Sequence, residues 1–307
     1  MFSSHRKNLL FLLALISILY LVALGSHGLL DPDEGRYSEI PREMLESGDF
    51  ITPRLNYVAY FEKPVLHYWL TALSFKVLGQ NEFAARFFPA VLAMAGVMVT
   101  YWLADRMNGP RAAFLSGWVL ATSLVYFAVG QINITDMPLS FFMTLSMAGF
   151  WMGYRRDRRY FTLFYLGMAL ALLTKGLVGM VLPAGVAFWW IVLTRKWEVI
   201  KEALYLPGIA LFFLVAAPWY VLVCLKNPDF FHFFFVQEHF LRYTTRMHGR
   251  FEPWWWFIPI IIVGSIPWAG FLPGAISASL PSSASSPTRQ DRGRIFLLLW
   301  FGVIFLF

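Results

Sequence analysis

Asp31, Asp33, Glu34 and Arg36 fall within six residues, in DPDEGRY, directly after a run of apolar side chains. Glu62 and Lys63 follow in YFEKPVLHYW, Asp136 in NITDMPLS, Lys175 in LTKG, and Glu238 with His239 in VQEHFLRY. Carboxylates are the groups that orient or deprotonate an attacking nucleophile, and lysine or arginine beside them hold and stabilise an anion. Each residue also has a structural reading. Asp31 or Asp33 can cap a helix, since a carboxylate there accepts backbone N–H bonds and suits the helix dipole. Asp136 can be the N-cap of a helix with Pro138 in its first turn. Glu62 and Lys63 can be a solvated pair, and His239 an ordinary interfacial histidine.

The elements that must position these residues are membrane helices. Of the 307 residues 58% are hydrophobic and 19% aromatic, which does not describe a soluble surface. Apolar runs near the length that crosses a bilayer place spans at 8–26, 84–105, 110–130, 136–154, 160–174, 176–194, 203–225 and 254–276. A ninth run begins at Ile295 and is too short to cross, so the sequence is expected to be C-terminally truncated. The basic start MFSSHRK with the long run after it reads as a retained first helix rather than a signal peptide.

Charge placement gives an orientation. The N-terminus, RMNGPR, YRRDRRY, TRKWEVIK and RQDRGR together hold 14 of the 25 Lys and Arg but 5 of the 18 Asp and Glu, counting the adjoining Asp105 and Glu202. By the positive-inside rule these segments are cytoplasmic, and the loops 27–83 and 226–253 face outward. The acidic and cationic residues named above then lie at one level on the outer face. In the first outer loop, EGRYSEIPREMLES sets Tyr37, Ile40, Met44 and Leu45 on one helical face and Glu39, Arg42, Glu43 and Glu46 on another, the pattern of an interfacial helix. Residues 63–79, carrying Lys76, predict a second. The single cysteine, Cys224, permits no internal disulfide, so packing must hold these loops.

No span carries a charge near its centre and no pair of interrupted helices is evident, which disfavours an ion pathway or a secondary transporter. The net charge of +7 is accounted for by membrane orientation, which leaves no reason to expect a nucleic-acid partner. EPWWWF, at 252–257, reads as an aromatic belt at the start of a span.

The order of the motifs carries more than any one of them. DPDEGRY after the first span, YFEKPVLHYW before the second, TDMP opening the fourth, LTKG after the fifth and HGRFEPWWWF before the eighth together resemble the GT-C glycosyltransferases. The match is to the branch of bacterial aminoarabinose transferases that modify lipid A, relatives of the protein O-mannosyltransferases. The resemblance covers nearly the whole chain. It implies an all-α polytopic bundle with interfacial helices in the first outer loop, sited in the bacterial inner membrane with a periplasmic active site. The reaction implied is transfer of a sugar from a polyprenyl phosphate to a lipid A-type acceptor, with inversion at the anomeric carbon. No Gly-rich phosphate loop is visible, in keeping with a lipid donor rather than a nucleotide sugar.

The resemblance also implies roles. Asp33 matches the family's first-loop aspartate, the base or acceptor-orienting group, and Asp136 its acidic partner. Lys63, Arg36 and Lys175 or Arg242 are placed to bind the donor phosphate, and the hydroxyls of Tyr60 and Tyr37 to contact phosphate or sugar. Glu62 corresponds to a glutamate that shares a divalent metal site, zinc or another ion, with a later histidine, here His239; two ligands are an incomplete set. The family continues with further spans, a lysine-rich outer segment and a soluble outer domain that this sequence lacks. Two rivals remain at this stage: a protein O-mannosyltransferase, and a non-catalytic transporter or flippase for a lipid-linked sugar.

Overall fold

The structure, a computed structural model, describes residues 5–241, 253–280 and 288–307. In chain order its helices are α1 (His5–Leu21), α2 (Asp33–Ser47), α3 (Leu66–Leu78), α4 (Glu82–Asn108), α5 (Pro110–Thr122), α6 (Leu124–Gly130) and α7 (Asp136–Arg155). There follow α8 (Phe161–Lys175), α9 (Val178–Thr194), α10 (Glu198–Ala203), α11 (Leu206–Lys226), a π-helical segment His232–Leu241, α12 (Phe257–Gly264), α13 (Leu272–Ser279) and α14 (Arg289–Leu306). The only sheet among the described residues is a two-stranded hairpin, β1 (Arg54–Leu55) and β2 (Val58–Ala59), paired antiparallel. The all-α membrane architecture expected from the apolar runs is therefore present.

By length and composition α4 and α11 suffice by themselves to cross a membrane, and counting each of two bent helix pairs as one span makes four among the described residues. Helices α1, α8 and α9 are apolar but 17, 15 and 17 residues long. The first helix ends at Leu21, before the expected limit at residue 26.

The expectation of uninterrupted helices is corrected. The expected span 110–130 is bent by 65° between α5 and α6, and 254–276 by 114° between α12 and the segment Ala269–Ser279. The two breaks satisfy each other. The Leu124 N–H donates to the Ile266 carbonyl at 3.0 Å, and the Trp268 indole N–H to the Thr122 hydroxyl at 2.9 Å. Non-helical backbone persists at membrane depth only where such partners are supplied from within the protein. Composition hides this, because serine and proline at 123 and 267 are too few to interrupt an apolar run.

Small residues let the central helices approach. A Cβ on Gly167 of α8 would stand 2.6 Å from the Phe142 carbonyl of α7 and 2.7 Å from the Ser146 nitrogen. This is the close backbone packing that replaces hydrophobic driving force inside a bilayer. At one end of the bundle Phe150, Trp151, Phe161, Trp190 and Phe296 form an aromatic core. The basic segments gather there: the Trp190 indole donates to the Arg292 carbonyl at 2.9 Å, Arg158 lies over the Tyr205 ring at 5.2 Å, and Gly293 lies beside Met107.

Helices α2 and α3 both form at the other end. Tyr37, Ile40 and Met44 are buried as the periodicity predicts. Glu43, expected on the polar face, is buried as well, because both its oxygens accept the Tyr57 N–H at 3.1 and 3.0 Å. That N–H belongs to the hairpin turn, where Asn56 and Tyr57 take φ of 52° and 65°, the paired left-handed conformation that matches strand twist. The loop is tied to α11 by Lys226 on Asp49 at 2.8 Å, the Trp219 indole on the Ile51 carbonyl at 3.0 Å, and Asn227 on the Thr52 hydroxyl at 2.9 Å.

The tie to the rest of the bundle is a fully buried ion pair. Arg86, near the start of α4, spends its five N–H donors on Glu34 through Nε and Nη2 at 2.9 and 2.7 Å and on the carbonyls of Leu24, His27 and Gly28. Glu34 completes its own set by accepting the N–H groups of Leu30 and Asn133 at 2.8 and 2.7 Å. Burial pushes the Glu34 carboxyl upward, but Arg86 and the two N–H donors outweigh it and hold it below the usual carboxylate range.

Removing one partner strands the other charge in a site without water. Arg86→Met is predicted to destabilise the fold by about 3–5 kcal/mol, read as a lower melting temperature in detergent. The depressed Glu34 pKa adds a pH dependence. The pair's contribution is complete above the unfolded carboxyl's value near 4.5 and is lost as pH falls through the lower folded value, so wild type should lose its advantage over R86M in strong acid.

Candidate active site

The site is built from the start of α2, the residues between the hairpin and α3, and the start of α7. Asp33 is the first residue of α2 and sits after Pro32, which makes no side-chain cap bond. Neither Asp31 nor Asp33 makes a cap bond, while Asp33 and Glu34 lie in the first turn, where a carboxylate suits the helix dipole. Asp33 is 57% exposed and faces Arg36 one turn on, at 3.6 Å.

From Arg36 the contacts run across the loop. Arg36 donates to the Tyr60 hydroxyl at 3.4 Å and lies 5.9 Å from its ring centroid. Tyr60 donates in turn to Glu62 Oε2 at 2.8 Å, and Lys63 Nζ donates to the Glu62 carbonyl at 3.2 Å. Phe61 stacks edge-on to Phe230 at 5.2 Å, so the segment after α11 braces the stretch that carries Glu62. Glu62 and Lys63 are thus parts of a connected set rather than a solvated pair.

The second half of the site comes from α7 and α8. Asp136 opens α7 after Thr135, whose side chain makes no cap bond, and Asp136 Oδ1 takes the Lys175 ammonium at 2.7 Å. Lys175 ends α8 at Gly176, whose φ of 83° turns the chain away.

Tyr37 stands between the halves. Burial pushes its phenol up to about 12, with the negative charges of Asp33, Asp136 and Glu62 adding to the rise and Arg36 opposing it. Four charged groups separated by up to about a hundred residues of chain therefore act on one ring. Its neighbours are His67, edge-on at 5.6 Å, and Tyr68 at 6.1 Å. Burial lowers His67 to about 4, against the pull of Asp136 and of the Asn133 side chain, so the imidazole is neutral at physiological pH. Burial likewise raises the Tyr60 phenol, helped by its bond to Glu62.

Sequence reasoning missed the residues that hold this arrangement. Asn133 is fully buried, gives its backbone N–H to Glu34, donates its side-chain amide to Ser38 at 3.1 Å and accepts from Thr71 at 3.4 Å. It thereby fixes the loop leading to Asp136 against both α2 and α3. Nothing marks Asn133 in the sequence. Arg86 did leave a signal: an arginine inside an otherwise apolar span, which is costly without a partner.

The metal pairing of Glu62 with His239 falls partly outside the described residues, as do the His239 side chain and Arg242. Among the described residues no group of three or more His, Cys, Asp or Glu gathers, and Glu62 accepts from Tyr60. The described residues alone do not make up a zinc set.

A family model described as dolichyl-phosphate-mannose-protein mannosyltransferase matches residues 7–234. An undecaprenyl phosphate-alpha-4-amino-4-deoxy-L-arabinose arabinosyl transferase of Photorhabdus laumondii is 35% identical over 306 residues, 97% of this chain and 54% of that protein. The protein of the same name from Enterobacter sp. is 32% identical over 312 residues, 99% of this chain and 55% of that protein. The crystal structure of ArnT from Cupriavidus metallidurans bound to undecaprenyl phosphate aligns with a TM-score of 0.88 at 33% identity, over 97% of this chain and 54% of that one. The chain spans about half the length of the curated relatives it matches.

The Asp136–Lys175 pair is half exposed on its carboxylate side and 29% exposed on its lysine side, so its contribution to stability is small, about 0–1 kcal/mol. Asp136→Asn is predicted to melt within a few degrees of wild type. A large drop in melting temperature would assign the carboxylate to the fold instead.

Proposed function

We propose a reaction for this site on one premise: the chain belongs to the dolichyl-phosphate-mannose-protein mannosyltransferase family, whose model covers most of it. The reaction is transfer of a sugar, 4-amino-4-deoxy-L-arabinose, from undecaprenyl phosphate to a lipid A-type acceptor at the periplasmic face of the inner membrane. The aminoarabinose transferase names borne by relatives along almost the entire chain support that choice of sugar and donor. The segregation of the basic segments to the bundle end opposite the site supports the orientation.

One observation carries the mechanism: Asp33 and Arg36 of α2, Glu62 after the hairpin and Asp136 of α7, itself paired with Lys175 of α8, all act electrostatically on the buried Tyr37 phenol. In an inverting transfer the acceptor oxygen attacks the anomeric carbon on the face opposite the leaving phosphate. The new glycosidic bond forms as the old C–O bond breaks, and the electron pair leaves with the phosphate. Arg36 and Lys63, with the Tyr60 hydroxyl, stabilise that departing charge, and Lys175 is the cation that orients Asp136. Asp33, at the open rim, faces the acceptor; a lipid A phosphate is already ionised, so Asp33 positions it more than it deprotonates it.

The family's protein acceptors give the nearest alternative outcome. Mass analysis of lipid A from cells with and without the intact gene decides between them: the aminoarabinose adduct should disappear with the gene, whereas unchanged lipid A beside loss of a protein glycan assigns the protein acceptor. In a transfer assay with the purified full-length protein and the lipid-linked sugar, Asp33→Asn is predicted to lower kcat by about 10²–10⁴-fold with little change in melting temperature. Lys63→Met should raise the KM for the donor. Full transfer by D33N removes Asp33 from the mechanism.

A further inference from the structure

Three buried side-chain polar atoms among the described residues have no hydrogen-bond partner: Nε2 of His67, the hydroxyl of Tyr68 and Nε of Arg292. Native interiors satisfy nearly all such groups, because an orphan has given up water for nothing. Arg292 lies at the opposite, basic end of the bundle. The other two are consecutive residues of α3, and both pack on Tyr37 at the middle of the candidate site, at 5.6 and 6.1 Å between ring centres.

Their surroundings divide the site between them. The Tyr68 hydroxyl lies within the electrostatic reach of Tyr60, Glu62 and Arg36, the half assigned to the donor phosphate. His67 lies within that of Asp136, and its Nε2 is unused. Both groups are uncharged, and each can either donate or accept one hydrogen bond, depending on tautomer or rotor. That chemistry does not suit a phosphate, for which Arg36 and Lys63 are already present. It suits the neutral, hydroxyl-bearing ring that joins phosphate to acceptor.

We propose that His67 Nε2 and the Tyr68 hydroxyl are the sugar-recognising groups of the site, bonding the hydroxyl or amino substituents of the lipid-linked sugar when Tyr37 moves off them. This rests on the donor assignment made above. Tyr37 is almost wholly buried and touches both rings, so sugar entry and its displacement are one event. A donor without a sugar has no group to take their place and gains nothing from them.

Tyr68→Phe tests this cleanly, since it removes one oxygen and keeps the ring. The full chain, purified in detergent, is titrated with undecaprenyl phosphate bearing the aminoarabinose and with bare undecaprenyl phosphate, and its melting temperature is measured without lipid. The expected result is about tenfold weaker binding of the sugar-bearing lipid by Y68F, unchanged binding of the bare lipid, and a melting temperature equal to or above wild type. His67→Leu should show the same selective loss for the sugar-bearing lipid. Equal affinities of wild type and Y68F for that lipid overturn the inference, as does a lower melting temperature with both lipids weakened alike, which marks a structural hydroxyl. Wild type that binds neither lipid overturns the donor assignment itself, and this inference with it.

Discussion

The arrangement depends on the buried contact between Arg86 and Glu34. A guanidinium with its five donors engaged and a carboxylate accepting four hydrogen bonds are enclosed where water does not reach. Burying two ions is costly, and their attraction offsets the cost only when geometry and hydrogen bonding are this complete. What the pair provides is less net stability than a fixed arrangement. It joins the loop after α1, the start of α2, α4 and the loop before α7 at a single point, and a loose version of it would be worse than none.

Asp33, Arg36 and Asp136 are each a short step from that point. Asp33 precedes Glu34 in the chain, Arg36 follows it by two residues, and Asp136 lies three beyond the Asn133 that Glu34 holds. Asn133 extends the network to Ser38 and Thr71 and so brings α3, with His67 and Tyr68, into the same frame. The exposed ionic groups can then be paired weakly, as Asp33 and Arg36 are at 3.6 Å, without losing position. Weak pairing is what a site that must exchange these partners for a substrate requires, since interactions already saturated in the free protein contribute nothing to binding. The site's rigidity is buried and its reactivity is exposed, one residue apart.

Much of this was legible in the sequence. Apolar runs of the right length and the alternation of basic segments gave the helical membrane fold, and the period of Tyr37, Ile40 and Met44 gave the loop helix α2. The motifs DPDEGRY, FEKP and TDMP named the residues that come together, because their chemistry is local to short, polar stretches in an apolar chain. What composition could not give was pairing across distance. Glu34 reads as one more acid beside Asp33, yet it is the buried one, and its partner lies 52 positions away. Glu43 was misplaced because its partner is a backbone N–H in a hairpin turn, which has no side-chain signature. The breaks near Ser123 and Pro267 stayed hidden for the same reason: each is stabilised by the other, and an apolar count sees neither.

The central proposal is that one site at the α2 end of the bundle holds both the carboxylates and the cations that sugar transfer from a lipid phosphate needs. The most direct measurement is an experimental structure of the chain with undecaprenyl phosphate bound. The account predicts the headgroup phosphate in contact with Arg36 and Lys63, with Asp33 and Asp136 on the side where the sugar and acceptor meet. A headgroup lodged away from Tyr37, or Asp33 and Asp136 facing different cavities, would contradict it.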